Sequence, residues 1–313
     1  MKKIIETKDL KKIFKIEIKK QWFFNSLRSF FKPEYKEFEA VSWISLVVWE
    51  WEKVAFLWPN WAWKSTTIKM LTWILNRTSW DIEVCWLDPT INRKQLVYNI
   101  WAVFGQTSRL WYHLSAIDTF KLIGKMFDMK NPEIEERMNY LIWKFGIGEI
   151  INSPVRKLSL GQRMKCEIVA SLIHKPLVIF LDEPTIGLDI VAKQNLRDII
   201  NEINLIEDTT IFLTSHDLQD VENICNRVII INYGKILYDG TLDNLKQTYI
   251  KKKIIRVQFE TNTDFKKKYY MEIIKSWDNF IEMEIPNSKE CLNETFTLLN
   301  TEYKIEDISI EKD

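Results

Sequence analysis

Three groups of side chains in this sequence are typed and spaced for work on a polyphosphate. The first lies in "VAFLWPNWAWKSTT", Val54 to Thr67, where a strand-like run and a short loop lead into Lys64-Ser65-Thr66. There an ammonium can reach β- and γ-phosphates, a hydroxyl can ligate Mg²⁺, and a helix opening at Thr66 turns its positive dipole end toward the anion. The second is Asp182-Glu183, which closes the apolar run "LVIFLD". One carboxylate can hold the Mg²⁺ shell while the other orients and deprotonates an attacking water. The third is His216, after the run "TIFLTS", placed to contact a γ-phosphate.

Elements must hold these groups at one place. Apolar runs over 177–181 and over 211–213, the latter flanked by Thr210 and Thr214, read as strands buried on both faces of a parallel sheet. Ligands of such α/β folds bind at the carboxyl ends of the strands, where Asp182, Glu183 and His216 stand. Gln106, in "WAVFGQTS", sits at another strand end, from which an amide reaches both Mg²⁺ and the attacking water. "KLSLGQRMKCEIVASLI", Lys157 to Ile173, opens a helix at Ser159, so the hydroxyl and the Gly161 N–H face an anion.

The chain has 313 residues, 46% of them hydrophobic, enough for one large domain and a small one. A net charge of +1 supplies no global field for nucleic acid, and none is expected as a partner. The four cysteines carry no paired spacing, so neither a disulfide framework nor a metal cluster is expected, and the thiols suit a reducing compartment. The start, "MKKIIETKDL", reaches Glu6 too soon for a signal peptide, and no apolar run approaches the roughly 20 residues that span a bilayer.

Glycine and tryptophan are out of proportion. The chain holds 8 Gly and 14 Trp; no glycine precedes Gly105, whereas eleven of the tryptophans do. Average usage would give roughly 22 glycines. The tryptophans stand at breaks between periodic segments, as in "AVSWISL", "VVWEWEKV", "TSWDIEV" and "VCWLDP", where turn chemistry asks for glycine or asparagine. Trp58, Trp61 and Trp63 occupy the glycine positions of a phosphate loop, whose inward-pointing N–H groups leave no room for a side chain. Random decay of a nucleotide site would scatter many residue types and spoil the other motifs. A UGA codon that the source reads as glycine, rendered here as tryptophan, makes one swap and leaves the rest intact. On that reading Trp43, Trp49 or Trp51 or both, Trp58, Trp61, Trp63, Trp73, Trp80, Trp86 and Trp101 are glycine in the cell. Trp111 is retained, and Trp22, Trp143 and Trp277 stay undecided.

Taken in order, the phosphate loop, Gln106, Leu-Ser-Leu-Gly-Gln, Asp182-Glu183, Gly187-Leu188-Asp189 and His216 resemble the nucleotide-binding subunit of an ATP-binding-cassette (ABC) transporter over roughly residues 3–245. "FGQTSRLWYHL", "LSLGQRMKCEI" and "DEPTIGLDIVAK" are similar to ABC-2-type exporters related to drug- and sodium-export ATPase subunits, which carry an aromatic pair where Trp111-Tyr112 stand. The resemblance implies a P-loop NTPase fold with a mostly parallel sheet core, an antiparallel β edge and a helical subdomain. It implies ATP and Mg²⁺ as cofactors and a head-to-tail dimer, homo- or heteromeric, with two ATP molecules at its interface. Trp58, Pro59, Asn60, Trp61, Ala62, Trp63, Lys64, Ser65 and Thr66 of one subunit would cradle each ATP against Ser159, Leu160, Gly161 and Gln162 of the other, with Asp189 nearby. Ser65, Gln106 and Asp182 would ligate the metal, Glu183, His216 and Gln106 would serve hydrolysis, and Tyr35 would stack on adenine, with Phe38 and Phe14 as less favoured substitutes. A separate transmembrane permease is the implied partner, and the inner face of the cell membrane the implied location. A scaffold subunit without activity, which requires the tryptophans to be real, and a cytosolic ABC ATPase outside transport are the alternatives.

The expected ATP-binding domain covers 1–246, with a helical subdomain over about 107–165 and an inserted amphipathic segment over about 15–34. That segment suits either anionic lipid or permease, or a surface of its own domain. After the charge run "YIKKK", residues 250–313 read as strand, helix ("DFKKKYYMEII"), strand, helix and strand, a small α+β accessory domain.

Overall fold

The strands that lead into the candidate site residues are largely apolar, and they share one sheet. The computed structural model describes residues 1–17, 35–57, 61–104, 108, 110–232, 235–249, 252–261 and 265–312; for 35, 61–65, 80, 249, 311 and 312 it describes the backbone alone. Strands β3 (Lys53–Leu57), β5 (Ile100–Phe104), β6 (Val178–Asp182), β7 (Thr210–Thr214), β8 (Arg227–Asn232) and β9 (Lys235–Thr241) form a six-stranded sheet in the order β5-β6-β7-β3-β8-β9. The pairs β5–β6, β6–β7, β7–β3 and β3–β8 are parallel. Every residue of β7 is buried, as a strand covered on both faces requires.

A second sheet, β2-β1-β4, is antiparallel and built from β1 (Lys3–Glu17), β2 (Tyr35–Trp49) and β4 (Ser79–Val84). Helix α1 (Trp61–Leu71) contributes Ile68, Met70 and Leu71 to one core with Ile5, Leu10 and Ile44 of this sheet and Phe56, Phe180 and Phe212 of the other. The three-stranded sheet is therefore the antiparallel edge and the six-stranded sheet the parallel centre of one α/β unit. Helices α2 (Arg93–Val97), α3 (Ala116–Met126), α4 (Asn131–Lys144), α5 (Leu160–Ser171), α6 (Ile190–Glu207) and α7 (Leu218–Ile224) complete it. Helices α3 and α4 approach closely at Gly124, where a Cβ would lie 2.6 Å from Ile134.

Contacts divide the chain into two compact units, Met1–Asp239 and Gly240–Asp313. The second holds helix α8 (Leu242–Tyr249), strands β10 (Lys252–Phe259), β11 (Glu272–Trp277) and β12 (Phe280–Pro286), helix α9 (Lys289–Glu302) and β13 (Ile305–Lys312). Its sheet runs β11-β12-β10-β13, antiparallel throughout. The helix expected over "DFKKKYYMEII" does not form. Phe265 packs on Phe259 and Tyr303, Tyr269 is 99% exposed, and Glu272 onward pairs with β12. The spacing of Phe265, Tyr269 and Ile273 suits a helix. The two-residue Asp278-Asn279 loop between Trp277 and Phe280 suits a hairpin, and pairing with β12 wins. The expected insertion over 15–34 begins inside β1, and its remainder, 18–34, lies outside the described residues.

Candidate functional site

Register brings the motifs to one line. Phe104 pairs with Asp182, Asp182 with Thr214, and Thr214 with Phe56. Phe104, Asp182 and Thr214, the last residues of β5, β6 and β7, therefore form a single row across the sheet with Phe56, the last but one of β3. Each strand leads into the segment that carries its chemistry: Gln106 after β5, Glu183 after β6, His216 after β7, and the loop beginning at Trp58 after β3. Gln106 and Trp58, Pro59 and Asn60 themselves lie outside the described residues. Trp61, Ala62, Trp63, Lys64 and Ser65 form the backbone of the first turns of α1, and Thr66 is buried on it. Tyr35 opens β2 opposite Glu17.

His216 Nδ1 lies 2.6 Å from Glu183 Oε2, a charge-assisted contact between the ends of β6 and β7. Beside it the Thr214 hydroxyl donates to Asp182 Oδ1 at 2.6 Å. Glu183 has left-handed backbone, φ 54°, with its N–H donating to the Thr214 carbonyl. One oxygen of each acid is thus oriented by a neighbour on the adjacent strand.

Asp220 on α7, 0% exposed, locks these turns from below. Its carboxylate accepts from the Thr185 hydroxyl, from the Ser215 hydroxyl at 2.9 Å and from the Arg197 guanidinium of α6 at 2.8 Å. Asp217 caps α7 through the Gln219 N–H and meets Lys193 at 2.7 Å. Burial pushes its carboxyl up, but the Lys193 ammonium and the Gln219 N–H outweigh burial and hold it below the ordinary carboxylate range. Thr214, Thr185, Arg197 and Asp220 were not legible as site residues. Only Thr214, last in its strand and next to Ser215-His216, gave any signal.

Ser159 is the N-cap of α5, its oxygen accepting from the Gln162 N–H while the Gln162 side chain accepts from the Ser159 N–H. This capping box leaves Ser159, Leu160 and Gln162 at least partly exposed at a helix N-terminus. Asp189 caps α6 through the Ala192 N–H at 2.8 Å. Gly161 passes so near this helix that a Cβ would meet the Ala192 Cβ at 2.9 Å, and Gly187, at φ +75°, faces Leu160. The structure therefore gathers Asp182, Glu183 and His216 in one group, and Ser159–Gln162 with Gly187–Asp189 in another. No group of three or more His, Cys, Asp or Glu that could hold a metal ion occurs among the described residues, and no helix among them is long and apolar enough to cross a membrane.

A parallel sheet whose strand ends carry a Lys-Ser-Thr helix, an Asp-Glu pair and a histidine defines an ATP-binding, ATP-hydrolysing protein of the P-loop class. Residues 41–186 match the family model of the ABC transporter. The ABC transporter ATP-binding protein NatA of Bacillus subtilis (strain 168) is 31% identical over 70% of this chain and 88% of its own length. The chain belongs to the ATP-binding subunits of ABC transporters. Its fold matches cbiO1 from Clostridium perfringens, part of the ABC transporter complex cbiONQ, at TM-score 0.64 and 22% identity over 78% of this chain and 90% of that one. It also matches a dimeric ATP-binding cassette in a post-hydrolysis state bound to ADP and Pi, at TM-score 0.62 and 19% identity over 76% and 98%.

Proposed function

We propose that this chain powers an ABC-2-type exporter, hydrolysing ATP while two ATP-binding subunits close against a separate permease on the inner face of the cell membrane. The observation that carries the reading is the Glu183–His216 contact of 2.6 Å at the end of adjacent parallel strands. Glu183 orients and deprotonates the attacking water, and His216 holds Glu183 and reaches the γ-phosphate. Lys64 contacts the β- and γ-phosphates; Ser159 and the Gly161 N–H of the second subunit close the site from the other side. Ser65, Asp182 and Gln106 offer oxygen donors only. With one carboxylate among them, that set fits Mg²⁺, which binds through one or two carboxylates together with phosphate oxygens and water. When bound, the ion neutralises charge developing on the transferred phosphoryl group. Tyr35 stacks on adenine. Residues 1–246 form the ATP-binding domain, with 107–165 receiving the permease, and 250–313 the accessory domain.

The test uses chain carrying Trp58→Gly, Trp61→Gly and Trp63→Gly. Adding Glu183→Gln should lower Mg-ATP turnover at least about 100-fold while ATP affinity stays within about twofold. Turnover surviving the Glu183 substitution would remove Glu183 from the reaction and overturn the proposal.

A further inference from the structure

Among the described residues ten non-glycine positions have left-handed backbone, and four of them are tryptophan: Trp43 at φ 59°, Trp51 at 65°, Trp73 at 61° and Trp86 at 62°. Tryptophan makes up only 14 of 313 residues, and a bulky side chain in this region is a genuine outlier. Each of the four sits in a different device, and each device has glycine as its usual occupant.

Trp43 lies where the β1–β2 register slips between Leu10↔Ile44 and Lys12↔Val41, so β2 carries one residue more than β1. A left-handed residue in such a bulge is characteristically glycine. Trp51 is the third residue of the turn closed by the Glu52 N–H on the Trp49 carbonyl, the position at which type II turns require positive φ. Trp73 comes just after α1, whose last residue is Leu71, with the Thr72 N–H still bonded to the Ile68 carbonyl. A left-handed residue there ends helices, and it is usually glycine. Cys85-Trp86 is a two-residue hairpin loop: Val84 and Leu87 exchange both backbone hydrogen bonds, and both loop residues have positive φ. That is the type I′ pattern, which favours glycine at its second position.

Lys11, Arg93 and Lys2 lie over the Trp43, Trp73 and Trp86 rings at 5.2, 4.0 and 5.8 Å, contacts weaker than the cost of left-handed backbone under a bulky side chain. Trp43, Trp51 and Trp86 leave 48%, 49% and 46% of their surface exposed. The Trp73 indole N–H is buried with no acceptor among the described residues. Trp49, by contrast, ends β2 without left-handed backbone, and Trp111 has none either.

We infer that the functional polypeptide carries glycine at 43, 51, 73 and 86, because its source decodes UGA as glycine, and that the same decoding opens the phosphate loop at 58, 61 and 63. The four left-handed positions stand on backbone geometry alone; the extension to the loop rests on the ATPase reading.

The test is tandem mass spectrometry of the protein isolated from its source cells. Three tryptic peptides cover the assignments: Glu37 to Lys53, Met70 to Arg77, and Thr78 to Arg93. Glycine at 43, 51, 73 and 86, with UGA at those codons and UGG at codon 111, is expected; tryptophan at any of the four overturns the inference. Two recombinant chains, one as written and one with glycine at all seven positions, then separate the two claims. The glycine chain should melt several degrees higher and bind ATP, whereas the chain as written should not, because indole rings fill the loop that glycine leaves open. Glycine in the peptides with no ATP binding by the glycine chain would leave the decoding standing and sink the ATPase reading. A glycine chain no more stable than the tryptophan chain would remove the strain on which the four assignments rest.

Discussion

At φ near +60° the Cβ of an L-residue crowds the following carbonyl oxygen, at roughly 1–2 kcal/mol per residue. Four tryptophans in that region would together forfeit about 4–8 kcal/mol, comparable with the whole stability of a domain. Glu183 shares the left-handed region, but its N–H is bonded to the Thr214 carbonyl and its carboxylate to His216. Strain there falls on the residue proposed to activate water, and functional sites are where proteins tolerate it. The cysteines test burial at the same scale. Burial pushes the Cys85 and Cys166 thiols up to about 12 and the Cys225 thiol beyond that, whereas Cys291 is half-buried. At pH 8 a thiol of pKa about 12 is thiolate in roughly one molecule in ten thousand. Native protein should therefore label with a maleimide at Cys291 alone from pH 7 to 9, and at all four cysteines once unfolded. Rapid labelling of Cys166 in the folded chain would contradict its burial.

The elements around the site are joined through Asp220, which links the turn after β6, the turn after β7 and helix α6 by hydrogen bonds to Thr185, Ser215 and Arg197. Removing one partner of such a buried pair strands the other. Asp220→Ala should lose about 3–5 kcal/mol, seen as a fall of about 10 °C in melting temperature. Combining it with Arg197→Met should recover most of that loss. Additive losses in the double variant would show that Arg197 and Asp220 do not act as a pair. None of this network could be read from the sequence, since burial of a lone Asp on a polar-looking helix leaves no periodic trace. The strands β6 and β7 were legible because two-sided burial writes an apolar run, and the capping box of α5 because Ser159 and Gln162 are three residues apart. Strand β11 was misread because an i, i+4 spacing can arise by chance in a short segment, while the hairpin that decides it depends on β12.

For the whole molecule, the signature end of α5 poses a geometric question. Leu160 shows 41% of its surface at a helix N-terminus that favours anions, with Ser159 and Gln162 beside it. Gly161 and Gly187 are pressed against Ala192 and Leu160, so this end is shaped by backbone rather than by long side chains. An exposed helix N-terminus beside a leucine suits the proposed surface that meets a nucleotide held by a second subunit, and one solved protein of this fold is a dimeric ATP-binding cassette. With glycine at 58, 61 and 63, the Glu183→Gln chain should pass from monomer to dimer in light scattering when Mg-ATP is added, since in the proposed mechanism ATP joins the two subunits and this variant does not consume it. Adding Ser159→Arg should abolish the dimer without shifting the melting temperature of the nucleotide-free monomer by more than about 3 °C, since losing the cap removes about 1 kcal/mol. A dimer that persists with arginine at 159 would place the interface elsewhere. A chain that binds ATP yet stays monomeric at every concentration would mean that the exposed end of α5 faces a different subunit, and that the working assembly is a heterodimer.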